Sequence, residues 1–106
     1  MKEIIQQILK FRDDRNWKQF HTDMNLLIGL NIEVGELQEH FLWNNDFNKD
    51  KKGVKNEIAD IFIFLIYLCD KYDIDLEEAV INKLKIHSQH YPVEEYKNKS
   101  IKYNQK

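Results

Sequence analysis

The sequence predicts an all-α fold built from four helices. Two observations carry that prediction. Among 106 residues there are only three glycines and one proline, so few positions would break a helix. Apolar residues recur at intervals of three and four along most of the chain, the spacing of helices that bury one face. On such helices two acidic quartets, Glu33-Val34-Gly35-Glu36 and Glu57-Ile58-Ala59-Asp60, each place two carboxylates on a single helical face, because positions i and i+3 are neighbours there.

The elements follow in order. A first helix is expected from about Lys2 to Arg15, with Ile4, Ile5, Ile8, Leu9 and Phe11 as its apolar side. Asn16 to His21 reads as a loop or frayed end. Thr22 or Asp23 is placed to cap a second helix that runs to about Trp43. On that helix, Leu27, Leu30, Val34, Leu37 and Phe41 form the expected core seam. Beside it Gly29, Glu33, Glu36, His40 and Trp43 form a second stripe, whose mixture suits a pocket wall better than a solvated face. Asn44 to Gly53 is polar and rich in turn formers. A third helix, from near Val54 to about Lys71, is apolar nearly all round and should be central. Asp75 and Glu78 resemble a capping box for a fourth helix, which points Leu76, Ala79, Val80, Leu84 and Ile86 inward and ends before Pro92. Residues 1–93 are read as one domain. Residues 94–106 form a polar tail that serves as an oligomer arm or is partly disordered.

Composition excludes several classes. Sixteen basic against 18 acidic side chains give a net charge of −2, without the basic excess of a duplex nucleic-acid binder. The single cysteine, Cys69, lies within an apolar run, so no intrachain disulfide framework exists and a reducing cytoplasm is expected. The N-terminal residues lack a signal-peptide core. The longest apolar stretch, Ile61 to Cys69, is too short to span a bilayer.

The candidate chemistry lies in the quartets. A carboxylate drawn into apolar surroundings must be protonated, paired or bound to a cation. Four that converge repel one another unless a cation sits among them, and oxygen-only ligands suit Mg²⁺ or Mn²⁺. Taken alone, an i, i+3 carboxylate pair is more often solvated. Two such pairs on successive helices, both flanked by apolar sequence, favour a metal site formed by Glu33, Glu36, Glu57 and Asp60. Glu39, one turn beyond Glu36, is a further ligand, a base or simply exposed. Other templates are absent: no His-Glu-x-x-His, no Glu-x-x-His, no Gly-rich phosphate loop. Trp17, Trp43 and Phe64 are candidates for a slot around a planar base, and His21 and Lys83 for contacts to phosphate. As isolated features, each is more often core or surface.

These residues carry a resemblance. Glu33 to Glu39, Glu57 to Leu65, and Asn82-Lys83-Leu84 with Tyr91-Pro92 are similar to the MazG-like all-α nucleoside triphosphate pyrophosphohydrolases, whose signature is E-x-x-E, a spacer and E-x-x-D. Arg15 to His21 (Arg-x-Trp-x-Gln-Phe-His) and Phe41-Leu42-Trp43 resemble the dCTP pyrophosphatase branch. The similarity covers roughly residues 8 to 93.

The resemblance implies a four-helix subunit assembling as a dimer or tetramer. It implies Mg²⁺ held by Glu33, Glu36, Glu57 and Asp60, and hydrolysis of a (d)NTP, dCTP or a modified pyrimidine nucleotide, to the monophosphate and pyrophosphate. By position, Trp17, Lys18, His21, Trp43 and Phe64 match the nucleotide-holding segments, and Lys83 and His87 match the family's phosphate-proximal ending. Glu36 or Glu39 would act as base. Departures bear on base choice and phosphate grip: Phe64 replaces a frequent Tyr, His87 and His90 replace an Asn and a basic residue, and Ile8 replaces a His. Two other functions fit the same residues, a nucleotide-binding regulator without turnover and a helical interaction module.

Overall fold

The computed structural model describes residues 1–42 and 51–105, and within them every regular element is helical. The elements are α1 (Lys2–Asp14), a 3-10 turn (Trp17–Phe20), α2 (Asp23–Glu39), α3 (Lys51–Lys71), α4 (Leu76–His90), the single turn α5 (Val93–Tyr96) and a second 3-10 turn (Tyr103–Gln105). The all-α prediction and its four long helices are therefore borne out. Most of the expected loop over 44–53, together with Trp43, lies outside the described residues; Lys51, Lys52 and Gly53 already belong to α3.

The chain divides into two compact units, Met1–Ile74 and Asp75–Lys106. In the first, local chemistry sets each boundary. Asn16 adopts a left-handed backbone, φ 52°, a conformation that Asn tolerates better than most residues. It lets the chain leave α1 and enter the 3-10 turn. Gln19 Nε2 donates to the Asn16 carbonyl at 3.0 Å, and Asn25 Nδ2 donates to the Phe20 carbonyl at 2.9 Å, tying the turn to α2. Thr22 caps α2, its hydroxyl accepting from Asn25 N at 3.1 Å, one of the two caps expected.

Helix α3 packs against both α1 and α2, the central place expected for it. At one end Lys71 pairs with Asp23 at 2.9 Å, and Tyr72 donates its hydroxyl proton to the same carboxylate. Midway, Gly29 faces Phe64. A Cβ on Gly29 would lie 2.5 Å from Phe64 Cε1, so the ring occupies space that only glycine leaves open. The α1 side is held by Arg12, buried and donating to Asp70 Oδ2 at 2.8 Å and to Asp13 Oδ1 at 2.9 Å. Leu26 and Ile66, each 1% exposed, are the most buried side chains.

The expected seam on α2 requires correction. Leu26 is the buried residue, whereas Leu27 and Val34 are each 44% exposed and Phe41 is exposed too. The close approach at Gly29 turns the Leu26–Gly29–Glu33 side toward α3. The apolar stripe of α2 is wider than one neighbouring helix can cover.

In the second unit Asp75 caps α4, its carboxylate accepting from Glu78 N at 3.1 Å, which is the N-cap half of the expected box. Pro92 ends α4 as expected and then caps α5. The tail returns to the end of α4: His90 stacks on Tyr103 with centroids 3.8 Å apart, and Tyr91 meets Tyr96 edge-on at 4.9 Å. The apolar side chains of α4 are not inward as expected, Leu84 being 59% exposed with Val80 and Ile86 also exposed. In this short unit Tyr96 is buried, and a unit of this size buries little apolar surface.

Candidate functional site

Glu33 and Glu36 project from α2, and Glu57 meets them from α3. The three offer carboxylate oxygens that all lie within 4.8 Å of one another. Glu33 Oε2 and Glu57 Oε2 are buried with no hydrogen-bond partner. Two ionised carboxylates cannot bond to each other, because both only accept. The Glu33 carboxyl is accordingly pushed up to about 7, first by its contact with the Glu57 carboxyl, then by burial, then by the charges of Glu36 and Asp60. His40 Nε2 stands 3.7 Å from Glu57 Oε1 and offsets this charge only when protonated.

This is a site short of positive charge. Two orphaned buried oxygens and a carboxyl that holds its proton well above the usual range call for a proton or a cation. The donors are all oxygen, the set that a hard divalent ion takes. Glu33, Glu36 and Glu57 would hold it. Asp60, one turn along α3 from Glu57, is exposed and outside this close group, yet near enough for its charge to raise Glu33.

Asp60 also borders a cavity of about 450 Å³ between α1 and α3, within the usual range of about 300–1,000 Å³ for small-molecule pockets. Ile4, Ile8 and Phe11 form its α1 side, at positions i, i+4 and i+7. Ile63, Phe64 and Tyr67 form its α3 side, and Trp17 closes it from the 3-10 turn. Trp17 is 41% exposed and packs edge-on against Phe11 with centroids 5.6 Å apart. The Arg15 guanidinium lies over the Phe11 ring, 3.6 Å from its centroid. Gln7 and Asp60 are the lining residues that are neither aliphatic nor aromatic. An apolar slot with an indole wall thus adjoins a carboxylate cluster, with Asp60 at the junction.

Known proteins resemble this chain in sequence and in fold. Residues 28–105 match the MazG-like family. The chain is 34% identical to mouse (Mus musculus) dCTP pyrophosphatase 1 over 111 residues, covering 97% of this chain and 65% of that protein. It is 32% identical to the human (Homo sapiens) dCTP pyrophosphatase 1 over 113 residues, covering 99% of this chain and 66% of that one. It therefore spans about two thirds of the length of these curated relatives. A crystal structure of a pyrophosphatase from Archaeoglobus fulgidus DSM 4304 superimposes with a TM-score of 0.81 at 37% identity, covering 87% of this chain and 92% of that chain. This chain belongs to the MazG-like family.

In this MazG-like chain the other residues singled out from sequence fall in several places. Phe64 and Trp17 line the cavity. His21 does not line it; its ring packs on Tyr67, centroids 4.6 Å apart, and its Nδ1 is buried without a partner. Burial, then the charges of Arg12 and Lys71, hold the His21 pKa below the usual imidazole range. Lys18 is exposed on the 3-10 turn, and Glu39 is exposed at the last position of α2. Lys83 and His87 lie on α4 in the second unit, both exposed, with the His87 ring 6.0 Å from Tyr91. Trp43 is outside the described residues. From the sequence, Ile4, Ile8 and Phe11 read as packing, Ile8 also as a replacement bearing on base choice, and Gln7 has no role. An i, i+3, i+4, i+7 face on α1 matched by Asp60, Ile63, Phe64 and Tyr67 on α3 was the available signal. Among the described residues no helix is long and apolar enough to cross a membrane.

Proposed function

We propose that this MazG-like protein is a nucleoside triphosphate pyrophosphohydrolase that converts a (d)NTP, with dCTP or a modified pyrimidine form as the leading substrate, to the monophosphate and pyrophosphate. The observation that carries the reading is the adjacency, through Asp60, of an apolar cavity walled by Trp17 and a cluster of carboxylates with orphaned oxygens. A nucleotide has the same two ends, a flat base and a charged triphosphate. The names of the mouse, human and archaeal relatives point the same way.

In this reading Trp17 and Phe64 hold the base by stacking and apolar contact. Glu33, Glu36, Glu57 and Asp60 hold Mg²⁺, which supplies charge neutralisation at the phosphates and an acidified water. Water attacks the α-phosphorus. The new phosphorus–oxygen bond forms as the bond to the bridging oxygen of the leaving pyrophosphate breaks. Glu36, the exposed member of the close trio, accepts the water's proton, with Glu39 one turn away as the alternative acceptor. Lys18, His21, Lys83, His87 and Trp43 are assigned to nucleotide contacts. Residues 1–93 are taken as the catalytic domain and 94–106 as its appendage. The exposed apolar side chains of α2 and α4, Leu27, Val34 and Leu84 among them, support assembly as a homodimer or homotetramer. The lone Cys69 supports a reducing, cytoplasmic setting.

The test is a panel of NTPs and dNTPs with Mg²⁺, scored for pyrophosphate. Release that EDTA abolishes is expected, strongest with deoxypyrimidine substrates. No release from any nucleotide would overturn the reading.

A further inference from the structure

Gln7 has no place in the chemistry described so far. It lines the cavity from α1, one turn before the residues beside Trp17, and its side chain is exposed. Its carboxamide makes no hydrogen bond to the described residues. The remaining wall is almost entirely hydrocarbon and aromatic. Trp17 contributes an N–H that can only donate, Asp60 a carboxylate that can only accept, and Tyr67 a single hydroxyl. Gln7 alone presents a donor and an acceptor side by side in one plane, the pattern displayed by the edge of a nucleobase.

We infer that Gln7 is the base-contacting polar residue of the cavity, its carboxamide pairing with the exocyclic edge of a pyrimidine stacked on Trp17. The inference rests on the pyrophosphohydrolase reading and adds to it how the base is read. The pairing has a consequence for selectivity. Cytosine offers an amino donor beside a ring-nitrogen acceptor. Uracil and thymine offer a keto acceptor beside a ring N–H donor. A carboxamide satisfies either by turning over about its last torsion, at no cost in charge. Gln7 therefore selects the amino- or keto-bearing edge without choosing strongly between cytosine and uracil. Stacking on Trp17 adds affinity but little discrimination, since every base has a π-face.

Two variants separate this from a structural role. Gln7→Leu keeps the size and removes both hydrogen-bonding groups. Gln7→Glu keeps the shape and leaves an acceptor-only group, which still takes the cytosine amino proton but faces the O4 of uracil with like charge. Because Gln7 is exposed and bonded to nothing described, both variants should keep the wild-type Tm, and Tm is measured alongside. The readouts are kcat/KM for dCTP and dUTP, and the equilibrium affinity for their α,β-imido analogues with Mg²⁺. Wild type is expected to use the two within about tenfold of each other. Gln7→Leu should lower both by about tenfold, the value of a net hydrogen bond, through KM rather than kcat. Gln7→Glu should raise the dCTP to dUTP ratio by about tenfold. Identical ratios in all three proteins, in turnover or in analogue binding, would overturn the assignment while leaving the hydrolase reading intact. Analogue binding with the expected ratios but no pyrophosphate release would uphold Gln7 and remove the hydrolase. Failure of wild type to bind either analogue would remove both.

Discussion

Helix α3 presents two unlike surfaces within a few turns. Toward α2 it offers Glu57 to Glu33 and Glu36, a crowded, electron-rich corner with buried oxygens left unsatisfied. Toward α1 it offers Ile63, Phe64 and Tyr67 to a roomy apolar cavity. The first is over-supplied with negative charge and calls for a proton or a cation; the second has room for an apolar guest. Phe64 belongs to both, lining the cavity while wedging against Gly29 on α2. What the contrast teaches is that one helix, by its periodicity alone, sets a charged corner and an apolar cavity side by side. The difference can be broken at either end.

The largest effect is expected at the charged end. Glu33→Gln removes one ligand and the carboxyl most strained by its neighbours. It should lower kcat by on the order of 10³-fold, the equivalent of about 4 kcal/mol of transition-state stabilisation, with helicity unchanged by circular dichroism. Full activity would refute the ligand assignment. At the apolar end, Trp17→Ala should weaken substrate binding by about 1–3 kcal/mol, the usual worth of base stacking. It should raise KM and leave divalent-ion affinity alone; a lost metal affinity with KM unchanged would reverse the roles given to the two ends. Gly29→Ala tests their shared residue. The added methyl must displace the Phe64 ring, a crowding that costs about 1–3 kcal/mol, visible in urea unfolding and in a raised KM. An unchanged KM would show that Phe64 does not shape the base cavity.

A smaller effect separates the ends by pH. Glu33 titrates at about 7 in the folded protein against an ordinary 4.5, so the folded state binds more protons between those values. Its contribution to stability is greatest at low pH and is lost as pH rises through 7. His21, whose pKa is depressed, acts in the opposite sense, gaining stability as pH rises through its usual range. The Glu33 part is therefore read as the difference between wild type and Glu33→Gln. In EDTA, wild-type Tm should fall relative to the variant between pH 5.5 and 7.5, and a saturating divalent ion should remove that fall by displacing the proton. A difference that does not vary with pH would contradict the crowding at Glu33.

The charged end was legible in the sequence; at the apolar end Trp17, Phe64 and the replacement at Ile8 stood out but the cavity itself did not, for physical reasons. Carboxylates spaced i, i+3 within apolar runs have few ways to be satisfied, so Glu33, Glu36 and Glu57 announce themselves, and Gly29 marks the same stripe. Helix caps at Thr22 and Asp75 are legible because they depend on neighbours three residues away. The cavity is different. Ile4, Ile8 and Phe11 have the period of any packed face, and nothing local distinguishes a face that fills its space from one that leaves a gap. Gln7 beside them looks like ordinary solvated surface. The choice of Leu26 over Leu27 as the buried residue turns on the Gly29–Phe64 contact between helices. The Arg12–Asp70 ion pair joins residues 58 apart in sequence, beyond any local pattern. The exposed apolar side of α4 has the composition of a core face, and only the coordinates show it uncovered.

The most direct test is calorimetric titration of Mn²⁺ at pH 6 in buffers of different ionisation enthalpy, which counts the protons released on binding. Wild type should bind Mn²⁺ with release of close to one proton, because Glu33 must ionise to serve the ion, and Glu33→Gln should lose both most of the affinity and the proton. Equal binding by the two proteins, with no proton released by either, would contradict a shared cation among Glu33, Glu36 and Glu57.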